Sequence, residues 1–305
     1  MKQLRDTSVS KSRKSIVAAL AKKKNKVQVI EVKLQEKMPL PKPTASTLRP
    51  FKEAAKLNQK MFAAKVKREK EKSTFLAKPF SKGKVYKIDL RLRSPESLSV
   101  QSMNSVEAAP ALVRLARVKG LNSIAITDFH DWSQIDLTKK ASQGTTVNVI
   151  PGMCVNCSVT TDSSITTIVL FPENYTSAEI EKCALDLNIP ASAKGRSDFI
   201  LKKDYSEFLK VIESHGAIAI PTRIDLTPHH LLSVSRLVEE FGMHCFDLAH
   251  VDNPQYFKDR WPNGEFTFLS FSNASSLAQV GSRLTKIKLP KAGFDGIKEL
   301  VKRRS

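Results

Sequence analysis

Residues Asp89-Leu90-Arg91-Leu92-Arg93-Ser94 close the first run of the chain with a clear strand pattern, and their reading decides the fold. A strand alternates faces with period two, so Arg91 and Arg93 point the same way. Two guanidiniums one strand step apart repel each other, and an apolar interior accepts them only beside carboxylate, phosphate or water. An edge strand with a solvated face would carry the same alternation. The strands that follow decide between the two readings.

From Val85 onward the chain alternates strand and helix signals. The predicted strands are Val85 to Leu92, Ser123 to Thr127, Val147 to Ile150, Ile165 to Phe171, Ala217 to Pro221, Cys245 to His250 and Phe266 to Phe271. The predicted helices are Val106 to Lys119, Ser177 to Leu187 with a capping box from Thr176 to Glu179, Tyr205 to Ser214, Leu231 to Phe241 and Phe294 to Arg303. Repeated βα units with apolar strands predict a mostly parallel sheet buried on both faces, as a barrel or a doubly wound sheet. In both, ligand chemistry gathers at the carboxyl ends of the strands. Those ends carry Arg91 and Arg93; Thr127-Asp128-Phe129-His130; Pro151-Gly152-Met153-Cys154; Pro221-Thr222-Arg223-Ile224-Asp225; His250 with Asp252; and Ser272-Asn273-Ala274-Ser275.

Five of these segments, in this order, resemble the polymerase and histidinol phosphatase (PHP) domain superfamily over about residues 85 to 305. The family motif D-L-H-x-H-S is here DLRLRSPES, T-D-H-D is TDFHD, P-G-x-E is PGMCVNCS, I-P-A-H-x-D is IPTRID, and S-D-A-H-x-L-x-x-I-G is SNASSLAQVG. The tail SRLTKIKLPKAGFDGIKEL is also similar to the family's ending. The resemblance implies an α/β fold, a distorted (β/α)7 barrel, with two or three zinc or manganese ions that hydrolyse phosphoesters through metal-bound hydroxide.

Against that pattern, Arg91 and Arg93 stand where the first two histidines would be, Phe129 for the next, Cys154 for the bridging glutamate and Arg223 for a further histidine. Asn273 and Ser275 replace the final aspartate and histidine, which leaves Asp128 as the retained ligand. Arginine offers no lone pair to a cation. The expectation is a barrel without metal, cofactor or catalytic residues. Asp128, His130, Cys154 and His250 keep a rearranged metal site open as an alternative, whereas His215, His229 and His230 read as helix-end or loop residues. Arg91, Arg93 and Arg223 either bind a phosphate group without hydrolysing it or pair internally with Asp89, Asp128 and Asp225, since an emptied polar cavity must be satisfied.

Composition separates this barrel from what precedes it. Residues 1 to 84 carry 20 Lys and 4 Arg against 6 acidic residues, leaving only +2 of the +20 net charge for residues 85 to 305. Such a local excess is the footprint of a polyanion partner or of a solvated tail. Lys22, Lys23, Lys24 and Lys26 form one cluster, of a kind also read by nuclear import, and prolines over 39–50 make a stiff linker. Phe51, Ala54, Leu57, Met61 and Ala64 mark one face of a helix over 51–72, with Lys56, Lys60, Lys65, Lys67 and Arg68 elsewhere around it. A basic amphipathic helix of this kind lies on a phosphate backbone, on a protein or on a membrane. Its alanine-rich, aromatic-poor face disfavours a membrane, and the expected partner is nucleic acid, RNA before DNA, or a ribonucleoprotein.

Four cysteines and the absence of an apolar spanning run predict an intracellular, cytoplasmic protein with reduced thiols. Cys154 and Cys157 lie three apart in a predicted extended segment, which sends them to opposite faces and argues against a shared metal. The expected function is a catalytically silent PHP-like binding or scaffold module anchored by its basic extension. Ribonuclease P, with a protein subunit of related metal-free fold, is a precedent by analogy. A metal-dependent phosphoesterase with a reduced site and a structural component of a large assembly are the alternatives.

Overall fold

The computed structural model describes residues 83–94, 105–161, 163–250 and 254–302. The basic cluster at Lys22, the linker over 39–50 and the predicted helix over 51–72 lie outside the described residues. Eight strands form one sheet: β1 (Lys84–Leu92), β2 (Ser123–Ile126), β3 (Asn148–Thr160), β4 (Ser163–Leu170), β5 (Ile218–Thr222), β6 (Cys245–Asp247), β7 (Thr267–Leu269) and β8 (Thr285–Leu289). Among the described residues the helices are α1 (Ser105–Val118), α2 (Ile135–Ser142), α3 (Ser177–Asp186), α4 (Tyr205–Ser214), α5 (Pro228–Glu239), α6 (Pro254–Arg260) and α7 (Gly293–Val301).

The strand order is β7-β6-β5-β4-β3-β2-β1-β8. The Thr285 hydroxyl nearly closes the ring, since it accepts from the Ser270 N–H at 2.9 Å and donates to the Ser270 carbonyl at 3.1 Å. The result is a nearly closed eight-stranded α/β barrel, the type implied by the PHP resemblance, with one strand more than expected. The expected mostly parallel sheet is corrected to a mixed one. β1–β2, β2–β3, β5–β6 and β6–β7 are parallel, whereas β3–β4, β4–β5 and β1–β8 are antiparallel.

Alternation within the strands builds two layers. Ile88, Leu90, Ala125, Ile150, Ile168, Ile220, Leu269 and Ile287 fill the barrel, and α7 closes it with Phe294, Ile297, Leu300 and Val301. Ile124, Ile126 and Val149 face outward onto Leu112, Val113 and Ala116 of α1. Met153, Val155, Val169 and Ala219 face outward onto a larger cluster that includes Ile180 of α3, Phe208 of α4 and Val234 of α5. Cys154 belongs to the inner cluster and Cys157 to the outer, so the pair faces opposite ways as its spacing predicts.

The partner change in β3 occurs at Pro151–Gly152. The parallel pairing to β2 ends at Ile126 opposite Pro151, and the antiparallel pairing to β4 begins at Gly152 opposite Leu170. A Cβ at Gly152 would lie 2.8 Å from the Val169 carbonyl oxygen, so only glycine admits this approach of the two strands. The segment read as a strand end is therefore a strand interior, which corrects the position of Cys154. Among helix starts, the Thr176 N–H donates to Glu179 at 2.6 Å, the expected capping box. α5 begins three residues before its predicted start, because Thr227 caps it and Pro228 suits its first turn. No helix among the described residues is long and apolar enough to cross a membrane.

Candidate functional site

β1 is irregular between Asp89 and Leu92, and this bulge turns both Leu90 and Arg91 inward. Arg91 then reaches across the barrel. Its Nη1 donates to the Thr222 hydroxyl of β5 at 3.0 Å and stands 3.9 Å from the Asp247 carboxylate of β6. The Thr222 hydroxyl donates in turn to Asp247, and the Phe271 N–H completes the shell at 3.1 Å. Burial pushes the Asp247 carboxyl up to about 6, although Arg91 and the Thr222 hydrogen bond pull the other way.

Arg93 sits at the rim. Its Nη1 is 3.7 Å from Asp128, and its guanidinium lies 4.6 Å above the Phe129 ring. The two Asp128 oxygens accept the Ser94 N–H at 3.2 and 3.1 Å. Burial raises the Asp128 carboxyl, while Ser94 and Arg93 act against it. Cys154 is buried beside the same arginines, and burial raises its thiol despite the pull of Arg91 and Arg93.

Arg223 adopts a left-handed backbone, φ 51°, in the turn between β5 and α5. Among the described residues no hydrogen bond or ion pair within 4 Å holds its guanidinium. Its pKa is lowered by burial first and then by Arg91, with Arg283 adding to the repulsion and Asp247 and Asp225 opposing it. Asn273 is also left-handed, φ 50°, and precedes Ala274, whose carbonyl accepts the Arg93 N–H at 3.3 Å. The Ser275 hydroxyl is directed to Gln279 at 3.0 Å. Arg91, Arg93, Asp128, Phe129 and Cys154 are thus brought together around β1 to β3, with Arg223 joined through Asp247, while the Ser275 side chain serves its own turn.

The carboxylates at this end of the barrel have structural duties. Asp89 accepts the Ser272 and Gly281 N–H groups, both at 3.1 Å, and burial pushes it up to about 6. Asp225 accepts the Ala249 and His250 N–H groups, both at 2.7 Å. The internal pairing expected for Asp89 and Asp225 is therefore corrected: they tie down loops, and the carboxylate beside Arg91 is Asp247. Sequence reasoning missed Asp247 and Arg283, and it placed Thr222 at a strand end without giving it a role. The signal for Asp247 was an acid inside the apolar run Cys245 to Ala249, concealed by extending the predicted strand to His250.

His130 is also committed, in a left-handed conformation with φ 52°. Its Nδ1 stands 3.1 Å from the Arg196 carbonyl, and its Nε2 accepts the Asn156 N–H at 3.4 Å, which fixes the proton on Nδ1. Burial lowers its pKa. The residues present do not fit the two or three metal ions that the resemblance implies. Neither His130 nitrogen is spare, the carboxylates hold backbone N–H groups, and no cluster of three His, Cys, Asp or Glu suited to a metal occurs among the described residues.

No protein-family profile matches the sequence, and no curated protein is similar enough to count as a relative. Solved structures do match. The lesion-specific endonuclease PfuEndoQ from Pyrococcus furiosus is 16% identical with a TM-score of 0.54, covering 72% of this chain and 56% of its own. The chain thus spans little more than half the length of that enzyme. A Bifidobacterium adolescentis protein assigned as a metal-dependent phosphoesterase is 13% identical, with a TM-score of 0.43 over 73% of this chain and 96% of its own. PsfC from Pseudomonas syringae is 15% identical, with a TM-score of 0.43 over 72% and 89%. At these identities the likeness concerns the fold alone, an α/β barrel of the kind found in PfuEndoQ.

Proposed function

We propose that the chain is a catalytically silent PHP-like module that binds a polyanion, with residues 1–84 anchoring it to RNA or a ribonucleoprotein. The observation that carries this reading is the occupation of the barrel end. Three arginines stand at ligand positions, and Asp89, Asp128, Asp225 and Asp247 each accept backbone N–H groups. A cation there would have to displace loop-fastening hydrogen bonds and sit against guanidiniums. Charge supports the nucleic-acid half of the reading, because +18 of the +20 net charge falls in residues 1–84.

The former ligand end binds phosphate as a minor element of the same function. Arg91 and Arg93 already face Asp247 and Asp128. Arg223 therefore supplies the free fork, with the other two behind it. Replacing Lys22, Lys23, Lys24, Lys26, Lys56, Lys60, Lys65, Lys67 and Arg68 by glutamine in the full chain is expected to remove most of the salt dependence of RNA binding. Salt-independent binding by the unaltered chain would overturn the reading. The competing metal-dependent phosphoesterase predicts about one equivalent of metal or more by elemental analysis. It also predicts phosphodiester turnover that chelation and Asp128→Ala abolish.

A further inference from the structure

The outer face of the β1–β8 pair carries lysines that the barrel end does not explain. In the antiparallel register Lys87 lies opposite Lys286, and Val85 opposite Lys288. Paired positions share a face. Tyr86, Ile88, Ile287 and Leu289 turn to the interior, so Val85, Lys87, Lys286 and Lys288 turn out. That face is open at Val85, 58% exposed, and at Lys286, while Lys87 and Lys288 are half-buried.

A further lysine joins at the corner after α1. The Lys87 Nζ stands 3.4 Å from where a Cβ on Gly120 would be, which places this ammonium against the turn that also carries the exposed Lys119. Two hydrogen bonds fix the corner, with the Lys87 N–H donating to the Asn122 side-chain Oδ1 and the Asn122 N–H donating to the Lys87 carbonyl, both at 2.8 Å. Among the described residues no carboxylate lies within 4 Å of Lys87, Lys119 or Lys286.

Like charges directly opposite on paired strands oppose folding. Lysines often guard a sheet edge against stray pairing, and Lys286 lies on the terminal strand β8, yet β1 is bonded on both sides, to β2 and β8, so Lys87 guards no edge. The concentrated basic segment also runs into this same strand, which begins at Lys84. A phosphate chain would relieve the repulsion.

We propose that Lys87, Lys119 and Lys286 form a second backbone-contact surface, on the barrel itself, for the nucleic acid held by residues 1–84. The inference rests on the nucleic-acid reading above. Its test compares the full chain with a variant carrying Lys87→Gln, Lys119→Gln and Lys286→Gln. The probe is a labelled single-stranded RNA 30-mer, followed by fluorescence anisotropy from 50 to 200 mM salt. Three lost contacts at about 0.7 each lower the slope of log affinity against log salt by about 2. The deficit of the variant is then roughly tenfold to twentyfold larger at 50 mM than at 200 mM salt.

A control with Lys182→Gln, Lys202→Gln and Lys210→Gln removes the same charge and is expected to keep the slope; an equal loss there would overturn the surface in favour of net charge. Lysine-to-arginine changes at the three positions are expected to preserve binding, and their failure would also overturn it. If the triple variant keeps the full slope while the nine-residue variant loses it, this surface is refuted and the anchoring function stands. If the unaltered chain shows no salt-dependent RNA binding, both fall. Binding through these lysines to phosphatidylserine vesicles but not to RNA would likewise overturn the proposal.

Discussion

Replacing Asp247 by asparagine is expected to remove about 1.4 kcal/mol of acid-induced stabilisation between pH 7.5 and pH 5. The carboxylate is buried among Arg91, the Thr222 hydroxyl and the Phe271 N–H, with Arg223 and Cys245 as the other charged or titratable groups around it. Burial raises its pKa from 3.8 to about 6. Between those values the folded state binds the proton and the unfolded state does not. Stability from this group is therefore present below 3.8 and lost as pH rises through about 6. At pH 5 the folded carboxyl is largely protonated, which yields about one pKa unit, or about 1.4 kcal/mol, relative to pH 7.5.

Asp89 adds a similar amount in the same direction, whereas His130, whose pKa burial lowers, acts in the opposite direction. The decisive quantity is thus the wild-type minus Asp247→Asn difference, in which those contributions cancel. Urea unfolding followed by the fluorescence of Trp132 and Trp261 measures it. The wild type is expected to gain about 1.4 kcal/mol more than the variant on acidification. A difference that is the same at both pH values would refute the placement of an ionisable, desolvated Asp247 beside Arg91.

Arg91→Met leaves Asp247 buried without its cation and is expected to cost about 3–5 kcal/mol in denaturant unfolding. Arg223→Ala, which breaks no ion pair among the described residues, is expected to change stability by less than about 1 kcal/mol while weakening inorganic phosphate binding by calorimetry. Gly152→Ala drives a methyl against the Val169 carbonyl and is expected to destabilise by about 1–3 kcal/mol, read as a lower thermal midpoint. His130→Ala strands the Asn156 N–H and the Arg196 carbonyl. A loss of about 1–3 kcal/mol in urea unfolding is expected.

Much of this fold was legible from periodicity. The strand at Arg91, the alternation that separates Cys154 from Cys157 and the capping box at Thr176 are all present where local pattern predicts them. β8 was overlooked although Thr285-Lys286-Ile287-Lys288-Leu289 alternates, because five residues before a proline carry little weight alone. The antiparallel turn of the barrel at Pro151–Gly152 depends on which strand approaches the glycine, a tertiary fact that local pattern does not encode. The site was half legible for the same reason. The arginines announce a buried cation problem, but the choice of Asp247 over Asp89 or Asp225 is made by loops that place Ser272, Gly281, Ala249 and His250 N–H groups on the other two carboxylates.

The central proposal is that this α/β barrel with its basic N-terminal segment serves binding to nucleic acid. Ultraviolet crosslinking in cells that express the full chain, followed by denaturing purification, tests it most directly. The account predicts a nuclease-sensitive RNA adduct on the protein that the nine-residue glutamine variant largely loses. Recovery of protein free of nucleic acid, or of protein adducts alone, would contradict it.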